Sequence, residues 1–189
     1  GRGVSNCAVC DGAFFRNQHV VVIGGGDSAV EEGEYLTRLV DKVTIIHRRD
    51  ELRAQQIIQD RAFKNDKIDF IWDSNVQEIT GDGNKVTGVK GVNNKTGEPF
   101  TADAGGIFIY VGIEPMSEPF RSLNITDENG WFVTNENMET TIPGIFAIGD
   151  IRKKELRQVV TATNDGGIAG QKAYQYITEL EAKTEAANV

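Results

Sequence analysis

The chain has 189 residues, of which 39% are hydrophobic and 25% charged, a balance typical of a folded globular protein rather than a disordered one. Its formal net charge of -8 disfavours general binding to nucleic acids or anionic membranes, because both need a positively charged surface. No apolar run approaches the roughly 20 residues that cross a bilayer, and the first residues lack the apolar stretch of a signal peptide. We therefore expect a cytoplasmic protein that binds neither nucleic acid nor membrane.

The only two cysteines, Cys7 and Cys10, lie three positions apart in the sequence CAVCDG, which we expect to form a loop. In a reducing compartment such a pair is more often redox-active or metal-binding than structural. Zinc would need four ligands, and only His19 and His47 remain as further candidates, without a second close pair. Two inert, buried cysteines are another alternative. The favoured interpretation is a dithiol/disulfide redox pair, beside which Asp11 could hold or deliver a proton.

The next segments alternate between apolar runs and helical patterns. The run 19–23 ends at three glycines, as expected of a strand buried on both faces, and residues 27–39 place apolar side chains at helical spacing. A second apolar run at 43–46 completes a βαβ unit. We predict a further helix over 51–65 and a strand over 68–72.

Turn residues dominate the middle of the chain. Alternating stretches at 76–80, 86–92 and 99–103 are separated by glycine- and asparagine-rich turns, which predicts an antiparallel β-meander. The apolar run 106–112 then returns to the central sheet, and we place a domain boundary after it.

The remainder of the chain has a less regular pattern. We predict a short strand at 131–133, a buried strand at 145–148 and a long helix over 159–180. One strong strand and one helix are too few for an independent Rossmann unit, so this part resembles a piece of a larger domain.

A glycine motif of the form G-x-G-x-x-A follows the first predicted strand and opens the first predicted helix. Such glycines let the backbone turn tightly and approach a pyrophosphate, which the helix N-terminus attracts. A plain tight turn is the alternative, but the strand, turn and helix around the motif favour a dinucleotide site. The candidate residues are Gly24, Gly26, Asp27, Ser28 and Ala29.

Basic residues follow the second strand of the βαβ unit, where an NAD enzyme has an acidic residue for the ribose 2'-hydroxyl. His47, Arg48 and Arg49 stand there instead, with Arg53 one helical turn further on. Charge-assisted hydrogen bonds of roughly 1.5–3 kcal/mol each from two guanidinium groups could favour NADPH over NADH by about a hundredfold or more. A solvated surface run of charge is the alternative interpretation.

Together, these motifs resemble the low-molecular-weight thioredoxin reductases. The resemblance rests on CAVCDG, VVIGGGDSAVEE, HRRDELRA, TTIPGIFAIGD and LRQVVTATNDG, which occur in this order across nearly the whole chain. It implies a flavoprotein, usually a homodimer, that passes electrons from NADPH through FAD to a CxxC disulfide and on to thioredoxin.

The resemblance also implies roles for individual residues. Cys10 would face the flavin, Cys7 would attack thioredoxin and Asp11 would act as general acid. The glycine motif and the four basic residues would hold NADPH. The residues implied to contact FAD are Gly149, Asp150, Arg157, Gln158 and Val159.

One departure from the family pattern is large, because no second glycine motif precedes the cysteines. We therefore expect a fragment with an α/β fold, in which residues 1–112 form a Rossmann-like NADPH-binding domain with a β-meander and residues 113–189 form the C-terminal part of a split FAD-binding domain. Such a fragment would bind NADPH but not bind FAD tightly, and would be inactive alone.

Two other functions compete with this interpretation. One is the NADH-dependent flavoprotein that reduces peroxiredoxins, against which the basic sequence HRRDELR argues. The other is a non-catalytic nucleotide-binding module whose cysteines sense the redox state.

Overall fold

The computed structural model describes residues 1–187 and divides the chain into two compact units, Gly1–Gly112 and a second that begins at Ile113. The strands of the first unit are β1 (Val4–Ser5), β2 (His19–Gly24), β3 (Lys42–Ile46), β4 (Ile68–Ile71), β5 (Ser74–Gly81), β6 (Val86–Asn93), β7 (Pro99–Asp103) and β8 (Gly106–Tyr110). Its helices are α1 (Ala8–Asp11), α2 (Asp27–Leu36) and α3 (Gln56–Phe63).

Five of these strands form a parallel sheet in the order β1-β8-β2-β3-β4, and β5, β6 and β7 form a separate antiparallel sheet. In the centre of the parallel sheet, Val21 pairs with Thr44 on one side and with Ile107 on the other. The predicted α/β fold, with a parallel sheet and a β-meander, is confirmed.

The parallel sheet is buried on both faces, which explains why its strands read as continuous apolar runs. Val20, Val22 and Phe108 belong to the core under the helices, together with Leu36 of α2. The alternate residues Val21 and Ile107 pack with Val86 and Val89 of the meander. The sheet therefore has helices on one face and a second sheet on the other.

The predicted helix over 51–65 is wrong in its first part, since α3 begins only at Gln56. The preceding residues form a loop because their backbone groups bond elsewhere: the Arg53 N–H donates to the Gly25 carbonyl at 2.7 Å. Leu52 and Ala54 are buried in this loop, so apolar positions there did not indicate a helix.

The cysteine pair does not lie in a loop, contrary to the expectation. Cys7 caps the short helix α1, which contains Cys10, and a single 3-10 helix, Gly12–Phe15, follows it. The Cys7 sulfur accepts a hydrogen bond from the Cys10 N–H at 3.1 Å, so the cysteine itself supplies the capping acceptor.

The second unit has one long helix, α4 (Val159–Ala187), which continues seven residues beyond its predicted end at 180. The strands predicted at 131–133 and 145–148 are wrong: Phe132 and Phe146 form isolated bridges only. A strand needs a neighbour along its length, and the described residues of this unit supply none. Its small core contains Ile125, Phe132 and Ala147.

Within residues 1–187, no helix is both long enough and apolar enough to cross a bilayer.

Candidate functional site

A cleft of about 270 Å³ lies at the edge of the parallel sheet where β2, β3 and β8 end. In open α/β sheets this carboxyl edge is where ligands bind. The cleft is lined by Ile23, Gly24, Gly25, Ile46, His47, Arg48, Arg53, Ser74, Asn75, Val76, Tyr110 and Val111. It brings the predicted glycine turn and part of the predicted basic segment to one place.

Two glycines of the motif, Gly24 and Gly26, differ in the space that a Cβ atom would have. Gly24 has a φ of 149°, and a Cβ there would collide with the Tyr110 carbonyl oxygen and lie 2.8 Å from the Cβ of Ala29. Gly26, the N-cap of α2, is different, because a Cβ there would meet nothing within 4 Å. The fold itself therefore requires Gly24, whereas the space in front of Gly26 is open.

The first turn of α2 is hydrogen-bonded to the loop 48–55, which carries the predicted arginines and is called the basic loop below. The Asp27 carboxylate accepts hydrogen bonds from the Gln55 backbone N–H at 2.7 Å and from its side-chain amide at 3.1 Å. Ser28 is exposed and Ala29 is buried. The loop from Arg48 to Gln55 is thereby held beside the glycine turn.

The three predicted arginines are exposed, and two of them, Arg48 and Arg53, line the cleft, whereas Arg49 is outside its lining. In the described part of the chain no carboxylate lies within 4 Å of any of these guanidinium groups. Their positive charge is therefore available to an anion that enters from solvent.

His47 is buried against the glycine turn, where a Cβ on Gly25 would collide with its ring. Burial lowers the pKa of His47, and the neighbouring Arg53 and Arg48 charges lower it further. Its Nε2 atom has no hydrogen-bond partner among residues 1–187. A neutral imidazole therefore forms the floor of the turn.

Cys7 and Cys10 are joined in a disulfide with a Cα–Cα distance of 5.3 Å. Cys10 is exposed and Cys7 is half-buried. Within the described residues, no group of three or more His, Cys, Asp or Glu side chains has the arrangement of a metal site. The arrangement of the two cysteines fits that of a redox pair.

Asp11 is connected to this pair through Ser5, a buried residue that the sequence did not single out. The Ser5 hydroxyl donates to the Asp11 carboxylate at 2.6 Å and accepts from the Cys7 N–H at 3.1 Å. The serine therefore ties the Asp11 carboxylate to the backbone of Cys7, across the helix α1 that carries Cys10, which is called the disulfide helix below.

Tyr110 and Glu32 were also missed, and both contact the disulfide helix. The Ala8 N–H lies 2.9 Å from the Glu32 carboxylate and 2.8 Å from the Tyr110 hydroxyl. Tyr110 stands at the end of a strand, at the same edge as Gly24, which is a signal that could have identified it. Tyr110 is also one of the residues that line the cleft, so the same residue contacts both the cleft and the helix that carries Cys10.

In the second unit the predicted residues cluster around the start of α4. Gly149 has a φ of 76°, and the side chain of Asp150 is 61% exposed. The Arg157 guanidinium lies 3.9 Å from the centre of the Trp131 ring and donates from Nε to the Asp150 carbonyl at 3.2 Å. Val159, the first residue of α4, is exposed.

The Gln158 N–H donates to the Thr161 hydroxyl at 3.2 Å, in front of the first turn of α4. A buried ionic cluster that the sequence did not indicate lies beside these residues. The Asp165 carboxylate contacts Arg152 at 2.9 Å and Lys154 at 3.0 Å, and accepts from the Gly149 N–H at 3.0 Å. Asp165 therefore holds the Gly149 turn in place.

A dinucleotide-type glycine turn and a CxxC disulfide at one edge of a parallel sheet are features of the disulfide oxidoreductase class. The sequence profile described as "Pyridine nucleotide-disulphide oxidoreductase" matches residues 1–166. The chain belongs to this family.

Known proteins similar to the chain include thioredoxin reductases. It is 62% identical over 186 residues to the thioredoxin reductase of Listeria monocytogenes, covering 98% of this chain and 58% of that protein. It is 58% identical over 181 residues to the Bacillus subtilis protein, covering 96% and 57%. The crystal structure of thioredoxin reductase from Streptococcus pyogenes matches with a TM-score of 0.88 and 60% identity, covering 94% of this chain and 58% of that one.

The resemblance to thioredoxin reductases is therefore confirmed. The chain spans only about 58% of the length of the curated relatives named above.

Proposed function

We propose that the chain carries the nucleotide-binding and disulfide-bearing part of a thioredoxin-disulfide reductase, in which electrons pass from NADPH through FAD to Cys7–Cys10 and on to thioredoxin. The observation that carries the proposal is that the disulfide and the glycine turn lie at the same edge of one parallel sheet, since Ala8 bonds to Tyr110, the strand partner of Gly24. The chain is also 62% identical to a thioredoxin reductase. Two interpretations compete with it: an enzyme that uses NADH instead of NADPH, and a nucleotide-binding module without catalytic activity.

The residues of the cleft fit NADPH. The open space before Gly26 leaves room for a pyrophosphate at the start of α2, where N–H groups and the helix dipole favour anions. Gly26 itself is outside the cleft lining, but Arg48 and Arg53 line the cleft beside Gly24 and Gly25. No carboxylate of the described chain is bound to these two arginines, which suits a 2'-phosphate. NADPH would supply a hydride there.

The residues of the second unit fit FAD in their chemistry. The Gly149 turn and the exposed Asp150 provide backbone and carboxylate groups for a ribityl or pyrophosphate moiety. Ile148 and Val159 expose apolar surface suited to a flat aromatic ring. FAD, when bound, supplies a two-electron carrier between a nicotinamide and a disulfide.

The cysteine chemistry follows from the local geometry. Reduction of the disulfide takes up two electrons and two protons, and yields two thiols. The Cys10 N–H that donates to the Cys7 sulfur would stabilise a thiolate on Cys7, the nucleophile proposed to attack thioredoxin. Asp11, held by Ser5, would deliver a proton as general acid while Cys10 faces the flavin.

The proposed partner is thioredoxin, and the proposed assembly is a homodimer. The proposed location is the cytoplasm, because thiols are kept reduced there.

The decisive experiment uses a full-length protein that contains this sequence. We expect NADPH to support thioredoxin reduction far better than NADH, and Cys10→Ser to abolish it while leaving NADP+ binding intact. A preference for NADH would instead indicate the peroxiredoxin-reducing flavoprotein. Unchanged disulfide reduction by the Cys10→Ser variant would contradict a catalytic role for the pair.

The chain alone provides a second test. We expect purified residues 1–189 to bind NADP+ in calorimetry and to lack a flavin absorbance band. A yellow preparation would contradict the expectation that this chain does not bind FAD tightly.

A further inference from the structure

The turn between β6 and β7, residues 93–97, contacts the loop that carries the basic residues. The Lys95 ammonium lies 2.6 Å from the Asp50 carboxylate and 3.1 Å from the Asp73 carboxylate. Asp50 directly follows Arg49 in the sequence. A lysine from the meander is therefore paired with the one acidic residue inside the sequence HRRD.

The same turn also holds the backbone of the basic loop. The Asn94 side-chain amide donates to the Arg48 carbonyl at 3.1 Å, and the Asn94 N–H donates to the Asp73 carbonyl. The loop is thus fixed from outside the parallel sheet, by two neighbouring residues of one turn.

The charge on Asp50 matters because of what stands next to it. A free carboxylate beside Arg48 and Arg49 would compete for their guanidinium groups and repel an incoming phosphate. The hydrogen bond from Lys95 lowers the pKa of Asp50, and the same bond raises the pKa of Lys95, so both groups are charged and engaged with each other at neutral pH. Among the described residues, no carboxylate forms an ion pair with Arg48, Arg49 or Arg53.

We propose that Lys95 is a specificity-determining, positioning residue: by engaging Asp50, it leaves the basic segment from Arg48 to Arg53 available to the 2'-phosphate that distinguishes NADPH from NADH. This inference rests on the proposed function. It assigns part of the nucleotide preference to a residue that does not line the cleft.

The experiment compares Kd values for NADP+ and NAD+ with the purified chain by calorimetry at low salt. Lys95→Met, which keeps the alkyl stem, is expected to weaken NADP+ binding about threefold to fivefold and to change NAD+ binding less than about twofold. Lys90→Met is the matched control, because Lys90 pairs with Glu78 in the same antiparallel sheet and, among the described residues, forms no hydrogen bond or ion pair with the basic loop. We expect this control to behave like the wild-type chain.

A second variant separates the charge of Asp50 from the folding of the turn. Asp50→Asn is expected to bind NADP+ at least as tightly as the wild-type chain, and Asp50→Asn combined with Lys95→Met is expected to recover the affinity that Lys95→Met loses. Weaker NADP+ binding by Asp50→Asn, or equal losses for both nucleotides with Lys95→Met, would overturn the inference.

The outcome for the wild-type chain distinguishes the two proposals. Equal affinity for NADP+ and NAD+ would overturn the proposed NADPH preference and this inference with it. A clear wild-type preference that Lys95→Met leaves unchanged would overturn the role of Lys95 alone.

Discussion

The Tyr110 hydroxyl donates a hydrogen bond to the Glu32 carboxylate at 3.1 Å, and both oxygens accept from the Ala8 N–H, one residue beyond Cys7. Burial raises the pKa of Tyr110, and the Glu32 charge raises it further, so the phenol keeps its proton at neutral pH. A carboxylate therefore stands beside the first turn of the disulfide helix, with a neutral hydroxyl as its companion.

This carboxylate should oppose thiolate formation when the disulfide is reduced. We predict that Glu32→Gln makes the Cys7–Cys10 disulfide easier to reduce, shifting its equilibrium with glutathione about threefold at about pH 8, where a thiolate is populated. Thiol alkylation and mass spectrometry of the equilibrated chain would measure the ratio. Asp11, on the disulfide helix, and Tyr110, on β8, also lie near the cysteine pair, and neither is changed in this variant.

Glu31→Gln is the matched control, since Glu31 is exposed and its one ion pair among the described residues is with Arg61, at 4.0 Å. It should leave the equilibrium unchanged. The effect of Glu32→Gln should also be smaller at about pH 6 than at about pH 8, because lowering the pH shifts the thiols towards the neutral form, which the carboxylate charge affects less. An equal shift at both pH values would indicate a structural disturbance rather than a charge effect.

The two glycines of the turn should respond differently to alanine. Gly24→Ala is expected to destabilise the first unit by about 3 kcal/mol, because the new Cβ meets the Tyr110 carbonyl at a positive φ. Urea unfolding followed by Trp72 fluorescence in a Trp131→Phe background would measure this change in the first unit alone.

Gly26→Ala should cost less than about 1 kcal/mol, because nothing lies within 4 Å of its Cβ. The same change should weaken NADP+ binding roughly tenfold or more, since a side chain would stand where the pyrophosphate approaches the backbone. Unaltered NADP+ affinity in Gly26→Ala would contradict the placement of the pyrophosphate at this turn.

The parallel sheet and the glycine turn were predictable because both rest on local signals. Continuous apolar runs mark strands buried on two faces, and the motif at Gly24 lies between two such segments. The strand predicted at 145–148 had the same apolar character and failed, because pairing depends on a neighbouring strand and not on the run itself.

The polar contacts of the site could not be predicted in the same way. Glu32, Tyr110 and Ser5 lie far apart in the sequence and meet at the disulfide helix only because their strands and helix are neighbours in the fold. The loop before α3 was misread because buried Ala54 lies four residues before buried Ile58, which is helical spacing, while the Arg53 N–H bonds to Gly25.

Asp165 should be critical to the stability of the second unit. Asp165→Asn is expected to destabilise that unit by about 3 kcal/mol, because the largely buried Arg152 and Lys154 would lose their counter-charge. Trp131 fluorescence in a Trp72→Phe background would report the unfolding. Asp150→Asn, at a carboxylate 61% exposed, is the control and should change stability little.

The pH dependence of this effect has a definite sign. Burial acts to raise the pKa of Asp165, but hydrogen bonds from Lys154 and Arg152 outweigh it and hold the pKa below the usual 3.8. Its contribution is therefore present above pH 3.8 and is lost as the pH falls through the lower folded value. A difference between Asp165→Asn and wild type that persisted below that range would contradict the ionic explanation.

The two histidines should make the first unit less stable in mild acid. Burial lowers the pKa of His47 below 6.5, and burial likewise lowers that of His19, so the unfolded chain binds protons first. Their contribution is fully present above pH 6.5 and declines as the pH falls towards their folded values. We expect the urea midpoint to be lower at about pH 5.5 than at about pH 7.5.

His47→Asn should reduce that difference, and a combined His19→Asn and His47→Asn variant should nearly remove it, because the acidic residues with lowered pKa values titrate below 3.8. Trp72 fluorescence in the Trp131→Phe background again provides the signal. A midpoint in the double variant that still falls as steeply would contradict the assignment to the histidines.

The pairing of β1 with β8 bears on the order in which this unit assembles. Ser5 pairs with Phe108, and Ala8 bonds to Tyr110 across a separation of 102 residues. Such distant pairings form slowly, because the entropy cost of closing a long loop precedes the free energy gained from the contacts. During synthesis, the cysteines leave the ribosome well before Tyr110 does, and they acquire their final surroundings only once the segment ending at Tyr110 has followed, so the redox edge is completed late.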